Sequence, residues 1–470
     1  MKRWLIGAAV LMALVPLAGE AGGTPAASGS WVGHYTLGGP GQFALTVNGK
    51  RALVVLGVGH ADLQSVPLVT SGARLRFRLP GRPSALVFDG AVSGGRLMGT
   101  VRQGSLRGPF TARVGTVAPL LARGVFKTGG GQTAVVDDPY GPARIADLET
   151  GRTRAIYPSG SGFTIGSGFA TRLPRTGTAA FTPRGAVIDG VGAKRVSVRQ
   201  LEVRFKSGTA SLSGTLTLPR GSGKHAAAVF VLGSGPTERA YLPELSALLV
   251  RHGVAVLVCD KRGIGQSGGS YPGESPTSGS VDILARDMEA ATRFLAAQPE
   301  VDRARVGLTG HSEAGWIAPL AASREPAVKF MLLFSGPAVT ADENDTFQSL
   351  AGRGEKTSPK LTTAEIEAEV AKRGPGGVDP IPWIRKLKIP SLWVYGALDS
   401  FVPTGLSTRR LAPIAKEPGR DFTVVVFPNA NHAMVETTTG LTSEMLRSDT
   451  YAPGMFDRVA GWLKKQGLGG

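Results

Sequence analysis

The chain has 470 residues, 66 of them glycine and one cysteine, with a formal net charge of +18. That length exceeds what one hydrophobic core usually organises, so two or three domains are expected. The single thiol excludes an intramolecular disulfide and leaves stability to packing, and a glycine share about twice the usual ~7% calls for many turns and a β-rich portion.

Residues 1–21 open with Lys2 and Arg3, continue through an apolar run at 4–17 and end in small residues, which reads as a secretory signal peptide. The run is shorter than the roughly 20 residues that span a bilayer. It is not followed by a cysteine, so a lipoprotein anchor is not expected. The expected location is secreted or extracytoplasmic, in the periplasm or at the cell surface. Residues 1–200 carry 23 Lys/Arg against 8 Asp/Glu, whereas the rest is nearly balanced. Such a basic surface suits weak association with an anionic cell surface. No aromatic-interleaved basic cluster accompanies it, so no nucleic-acid partner is expected.

Between 30 and 115 short alternating bursts follow one another. Phe43, Leu45 and Val47 lead into Asn48-Gly49, a two-residue hairpin signal, and Arg74, Arg76 and Arg78 alternate with Leu75, Phe77 and Leu79 as the outer face of one strand. The spacing predicts an all-β accessory domain, a small barrel or sandwich. A second accessory segment, 116–198, is also rich in Gly, Thr and Pro. Its turns are expected at Tyr140-Gly-Pro, Asp147-Leu-Glu-Thr-Gly and Tyr157-Pro-Ser-Gly. His34 and His60 stand far apart, and neither stretch offers a cluster able to do chemistry.

From residue 199 the rhythm changes. Apolar runs at 226–232, 254–259, 306–309, 330–334, 392–395 and 423–427 read as parallel strands covered on both faces, and 242–252 and 282–298 have helical spacing. This predicts a doubly wound, mostly parallel α/β sheet, with Cys259 as a small core side chain. Chemistry in such sheets collects at the carboxyl ends of strands.

The stretch 306–315 ends a strand at Gly310-His-Ser-Glu-Ala-Gly and turns at once into a helix, the sequence form of a sharp elbow with Ser312 at its tip. Ala314 stands where glycine is commonest, so its methyl is expected to crowd helix against strand, with Gly315 available to relieve it. A serine nucleophile needs a base, and the base an orienting acid. His432 is the one histidine that follows Ser312, and Asp399 is the aspartate placed just after an intervening strand. Oxyanion donors are expected from the N–H of Glu313 and from the loop Gly233-Ser-Gly-Pro, with Gly235 preferred to Ser234. Gly263, Gly265 and Gly268 have dinucleotide-fingerprint spacing, but Gly-Gly-Ser-Tyr-Pro-Gly prolongs the loop where that fingerprint needs a helix. Neither a cofactor nor a metal is expected.

With Gly310-His-Ser-Glu-Ala-Gly, Gly233-Ser-Gly-Pro and Asp260-Lys-Arg-Gly-Ile-Gly-Gln-Ser in this order, residues 199–470 resemble the α/β-hydrolase superfamily, and most closely bacterial serine esterases. The resemblance implies that the excursion at about 337–389 is a small cap over the site. It also implies hydrolysis of a small-molecule ester by Ser312, His432 and Asp399. A peptidase or acyl thioesterase of the same fold is the alternative, and a non-catalytic surface-binding protein with a basic β module is the alternative of another class.

Overall fold

Period-two alternation in the first half folds into two closed antiparallel barrels, and the apolar runs of the second half form one sheet. The computed structural model describes residues 29–56, 63–115, 122–136, 142–196, 198–355 and 361–469. The leader-like stretch 1–21, His60 and Tyr140 lie outside them.

The first barrel closes eight strands between Gly29 and Val114. In the strand Arg74–Leu79 burial alternates strictly, with Leu75, Phe77 and Leu79 inside and the three arginines outside. Phe88 sits at its centre, stacked on Phe77 at 4.8 Å and edge-on to Tyr35 at 5.6 Å. Burying such side chains contributes about 2–3 kcal/mol each. Gly49 takes φ +59 in the Asn-Gly hairpin, a conformation that favours glycine. The second barrel closes eight shorter strands between Gly124 and Val196 around Phe126, Ile145, Ile156, Phe163 and Ile165. The sequence announces its strands but not its closure, because several are only four residues long.

The sheet consists of β1 (Arg199–Ser207), β2 (Ala210–Leu218), β3 (His225–Val231), β4 (Val254–Cys259), β5 (Val301–His311), β6 (Phe330–Phe334), β7 (Ser391–Gly396) and β8 (Phe422–Phe427). They lie in the order β8-β7-β6-β5-β3-β4-β2-β1, and β3 to β8 are parallel. Along β3, Ala227, Val229 and Val231 face one core while Ala226, Ala228 and Phe230 face the other. That two-sided burial is why the run is apolar without alternation. Helices α2 (Ser278–Ala296), α3 (Ala314–Arg324) and α6 (Thr404–Ala415) cover one face, and α1 (Pro243–Arg251) and α7 (Met455–Lys465) the other. Thr277 and Ser280 form a reciprocal capping box that starts α2 four residues earlier than apolar spacing predicts.

Between β6 and β7 the chain leaves the sheet through α4 (Ala341–Ala351) and α5 (Thr363–Arg373), which share a small core of Phe347, Ile366 and Val370. Both helices begin at a threonine that pairs with a glutamate three residues into the helix, Thr340 with Glu343 and Thr362 with Glu365. Helix α4 lacks the apolar stripe by which a helix is read from sequence.

Both barrels are fastened to the sheet. The segment Gly81–Arg82 leaves the first barrel and pairs in parallel with Glu202 and Val203 of β1, extending the sheet by one short strand. Arg82 binds the Glu300 carboxylate at 2.7 Å, and buried Arg204 reaches Gln103 at 3.0 Å and the Gln266 carbonyl at 2.9 Å. The second barrel contributes Ala134, Val136, Leu148 and Phe169 to the core shared by α1, α7, β3 and β4. Its Arg144 pairs with Glu244 of α1 at 2.7 Å, where the two side chains are 7% and 0% exposed.

Candidate active site

Strand β5 ends at His311, and the next residue, Ser312, has φ +58 in the left-handed region before α3 begins. A non-glycine residue is held there only when its surroundings over-determine it. Here the Ser312 N–H donates to the Phe334 carbonyl at 3.0 Å, which ties the elbow to the end of β6. The methyl of Ala314 fits because Gly310 has no side chain: a Cβ at 310 would stand 2.6 Å from it. Gly315 serves a different contact, since a Cβ there would come within 2.4 Å of the Pro337 nitrogen. The crowding expected from Ala314 is therefore absorbed by Gly310, not by Gly315.

Loops after β7 and β8 bring Asp399 and His432 to this elbow. The Ser312 hydroxyl lies 3.0 Å from His432 Nε2, and His432 Nδ1 lies 2.8 Å from Asp399 Oδ2. The second oxygen of Asp399 accepts the N–H groups of Phe401 and Val402 at 2.7 and 2.8 Å, which fixes the carboxylate plane. The ring of Phe401 stacks on the imidazole at 4.8 Å. Asn431 shapes the histidine loop by accepting the N–H groups of Ala433 and Val435, each at 3.1 Å.

Three further residues reach the site that sequence reasoning did not assign. His311 is buried beside His432, with ring centres 4.6 Å apart, and bonds the His432 carbonyl at 2.8 Å and the Tyr241 hydroxyl at 2.7 Å. Burial, and then the neighbouring His432 ring, push its pKa down to about 3. The neutral ring therefore donates through Nε2 to the carbonyl and accepts the tyrosine proton at Nδ1. Lys261 is the third, and its ammonium sits among the carbonyls of Gly233 and Gly235 and the Glu313 carboxylate, at 2.5, 3.1 and 2.8 Å. The only early signal for His311 and Lys261 was their place inside Gly310-His-Ser and Asp260-Lys-Arg, and Tyr241 had none. Their partners lie on other strand ends.

The Asp260 loop is held by Arg239, which bonds both carboxylate oxygens at 3.0 and 2.6 Å and also meets Glu202 at 2.8 Å and Ser213 at 2.7 Å. Burial opposes ionisation of Asp260, yet Arg239 and the N–H groups of Gln266 and Arg239 outweigh it and hold the carboxyl below its usual range. Gly263 and Gly265 take φ +73 and +53 inside this loop, which runs on to the α2 cap. A Cβ on Gly39 of the first barrel would lie 1.7 Å from the Gly265 carbonyl, so barrel and loop touch backbone to backbone.

His311 makes a pH-dependent contribution of known sign. Its folded pKa of about 3 lies below the unfolded value of about 6.5, so the unfolded chain binds more protons in between. This stabilisation is complete above that unfolded value and declines as pH falls toward the folded one. From pH 7 to 5 the wild type is expected to lose about 2 kcal/mol more than a His311→Gln variant in urea unfolding. Equal losses in the two proteins would refute the assignment.

A strand, a strained serine elbow and a helix, set in a mostly parallel sheet with histidine and aspartate on later strand ends, define the α/β-hydrolase class. The model of the family described as serine aminopeptidase, S33, matches residues 223–379. An uncharacterized protein of Mycobacterium tuberculosis is 31% identical over 223 residues, 47% of this chain and 68% of that protein. An esterase of Thermotoga maritima is 26% identical over 282 residues, 54% of this chain and 66% of its own. Among solved structures, an acylaminoacyl peptidase of Pyrococcus horikoshii covers 91% of this chain and 74% of its own, at 13% identity and a TM-score of 0.42. The chain belongs to the α/β-hydrolase superfamily and is a hydrolase of the esterase or peptidase type.

Proposed function

We propose that this hydrolase is an exported enzyme that cleaves carboxylic esters through an acyl-enzyme. The observation that carries the reading is the unbroken hydrogen-bonded chain from Ser312 through His432 to Asp399. Ser312 Oγ attacks the ester carbonyl while His432 Nε2 takes its proton, and Asp399 holds the ring and stabilises the imidazolium. Backbone N–H groups at Glu313 and in the loop 233–235 receive the oxyanion. His432 then returns the proton to the leaving alcohol, and a water activated by the same nitrogen releases the acid.

Export rests on the leader-like residues 1–21, and the basic first half suits a weak hold on an anionic surface. The helical excursion between β6 and β7 acts as a cap: its Gly354 lies beside Ser400 and Thr442, so that a Cβ there would meet their hydroxyl oxygens at 3.1 and 2.7 Å. Peptide hydrolysis is the second reading, favoured by the family whose model matches residues 223–379.

A fluorophosphonate probe is expected to label the wild type once, on the peptide that carries Ser312. Turnover of one acyl group presented as oxyester, thioester and amide is expected to rank in that order. An unlabelled protein refutes the nucleophile, and an amide turned over faster than the oxyester moves the assignment to a peptidase.

A further inference from the structure

We propose that Lys261 is a positioning residue that builds the oxyanion hole, and that the N–H of Ser234 is the second donor of that hole. The inference rests on the serine-hydrolase reading above. A loop that presents N–H groups to a developing oxyanion must have its peptide planes fixed beforehand, because donors that reorient during the reaction lose most of their effect. The loop after β3 has two carbonyls, those of Gly233 and Gly235, whose neighbours fix their peptide planes.

The Gly233 carbonyl accepts from the Lys261 ammonium at 2.5 Å. In a trans peptide the N–H points opposite to the carbonyl. The N–H of Ser234 therefore faces away from the cation. The Tyr271 hydroxyl lies against the Gly235 backbone and has no hydrogen-bond partner among the described residues. The Gly235 carbonyl is again held by Lys261, at 3.1 Å, and the residue that follows is Pro236, which has no N–H to offer. Among the described residues, the N–H groups of Ser234 and Glu313 meet no acceptor. Two unengaged amides flanking the serine elbow are what the hole requires.

Lys261 also joins the two halves of the hole. Its third bond is to Glu313, the residue after the nucleophile, at 2.8 Å, with the two side chains 5% and 2% exposed. One ammonium thus spans the loop after β4, the loop after β3 and the last residue of the turn into α3. A buried ammonium with three oxygen partners is satisfied in its hydrogen bonding. Removing it strips the Glu313 carboxylate of its donor and leaves the Gly233 carbonyl only the Thr237 hydroxyl at 3.4 Å, which loosens the Gly233–Ser234 peptide, while the Gly235 carbonyl keeps the Thr237 N–H at 2.9 Å.

The test uses the full chain and two variants, Lys261→Met and the double Lys261→Met/Glu313→Gln, the second avoiding an orphaned buried carboxylate. Both are expected to lower kcat on an activated ester by about 100- to 1,000-fold, the loss seen when one oxyanion donor goes, with KM changed less than threefold. Affinity for a trifluoromethyl ketone that mimics the tetrahedral state should fall in parallel with kcat/KM. A folded variant of either kind with wild-type kcat overturns the proposal. A crystal structure of Lys261→Met in which the Gly233–Ser234 peptide keeps its orientation also overturns it, whether or not the wild type proves to be an esterase. Failure of the wild type to label with fluorophosphonate would instead count against the underlying enzyme reading.

Discussion

Asp399→Asn is expected to lower kcat about 10,000-fold with little change in folding, and Ser312→Ala to lower it further, about a million-fold. The aspartate prediction follows from how its two oxygens are used. Oδ1 already accepts two backbone N–H groups, from Phe401 and Val402, so an asparagine keeps its oxygen there and turns its amino group to His432. That amino group donates to Nδ1, which forces the ring proton onto Nε2, the nitrogen that faces Ser312 at 3.0 Å. A protonated Nε2 cannot accept the serine proton. Stopped-flow turnover of a p-nitrophenyl ester, with circular dichroism to confirm folding, checks both variants. Retention of even a tenth of wild-type kcat in Asp399→Asn would show that the imidazole is oriented by something else.

Arg239→Leu is expected to cost about 3–5 kcal/mol of unfolding free energy, the range for removing one partner of a buried ion pair. The arginine binds Asp260 with two hydrogen bonds and Glu202 with one, and its absence leaves Asp260, 3% exposed, without its counter-ion. A double variant, Arg239→Leu/Asp260→Leu, should recover part of the loss, because an apolar pair does not strand a charge. The pH dependence has a definite sign. The folded pKa of Asp260 is depressed, so its stabilisation is present above the unfolded value of about 4 and is lost as pH falls through the folded one. Wild type and Arg239→Leu should therefore differ most near neutrality and converge in acid. Chemical denaturation at pH 7 and pH 3.5 measures this; a constant gap would refute it.

The α/β half was legible because strands covered on both faces leave unbroken apolar runs, and each run from 226–232 to 423–427 coincides with an observed strand. Ser312, Asp399 and His432 were legible for a related reason: the parallel order puts every strand's carboxyl end on one edge, so residues 120 positions apart can meet there. What escaped was set by contacts without local pattern. His311 is just a histidine in the chain until β5 lays it under the His432 carbonyl. Lys261 looks like one more surface cation until its loop folds back over Gly233. Closure of the second barrel escaped as well, because it depends on the pairing of Val125 with Val196, a register that no stretch of a dozen residues contains.

The two-residue pairing of Gly81–Arg82 with β1 makes the first barrel more than an appendage. An open sheet presents a row of unsatisfied amides and carbonyls at its last strand, a template on which a second copy could polymerise. Here the barrel lends that strand a short stopper and keeps its own main chain closed into a ring. The sticky margin is thus blocked from within the same chain, and a gene shortened to the hydrolase alone would expose it.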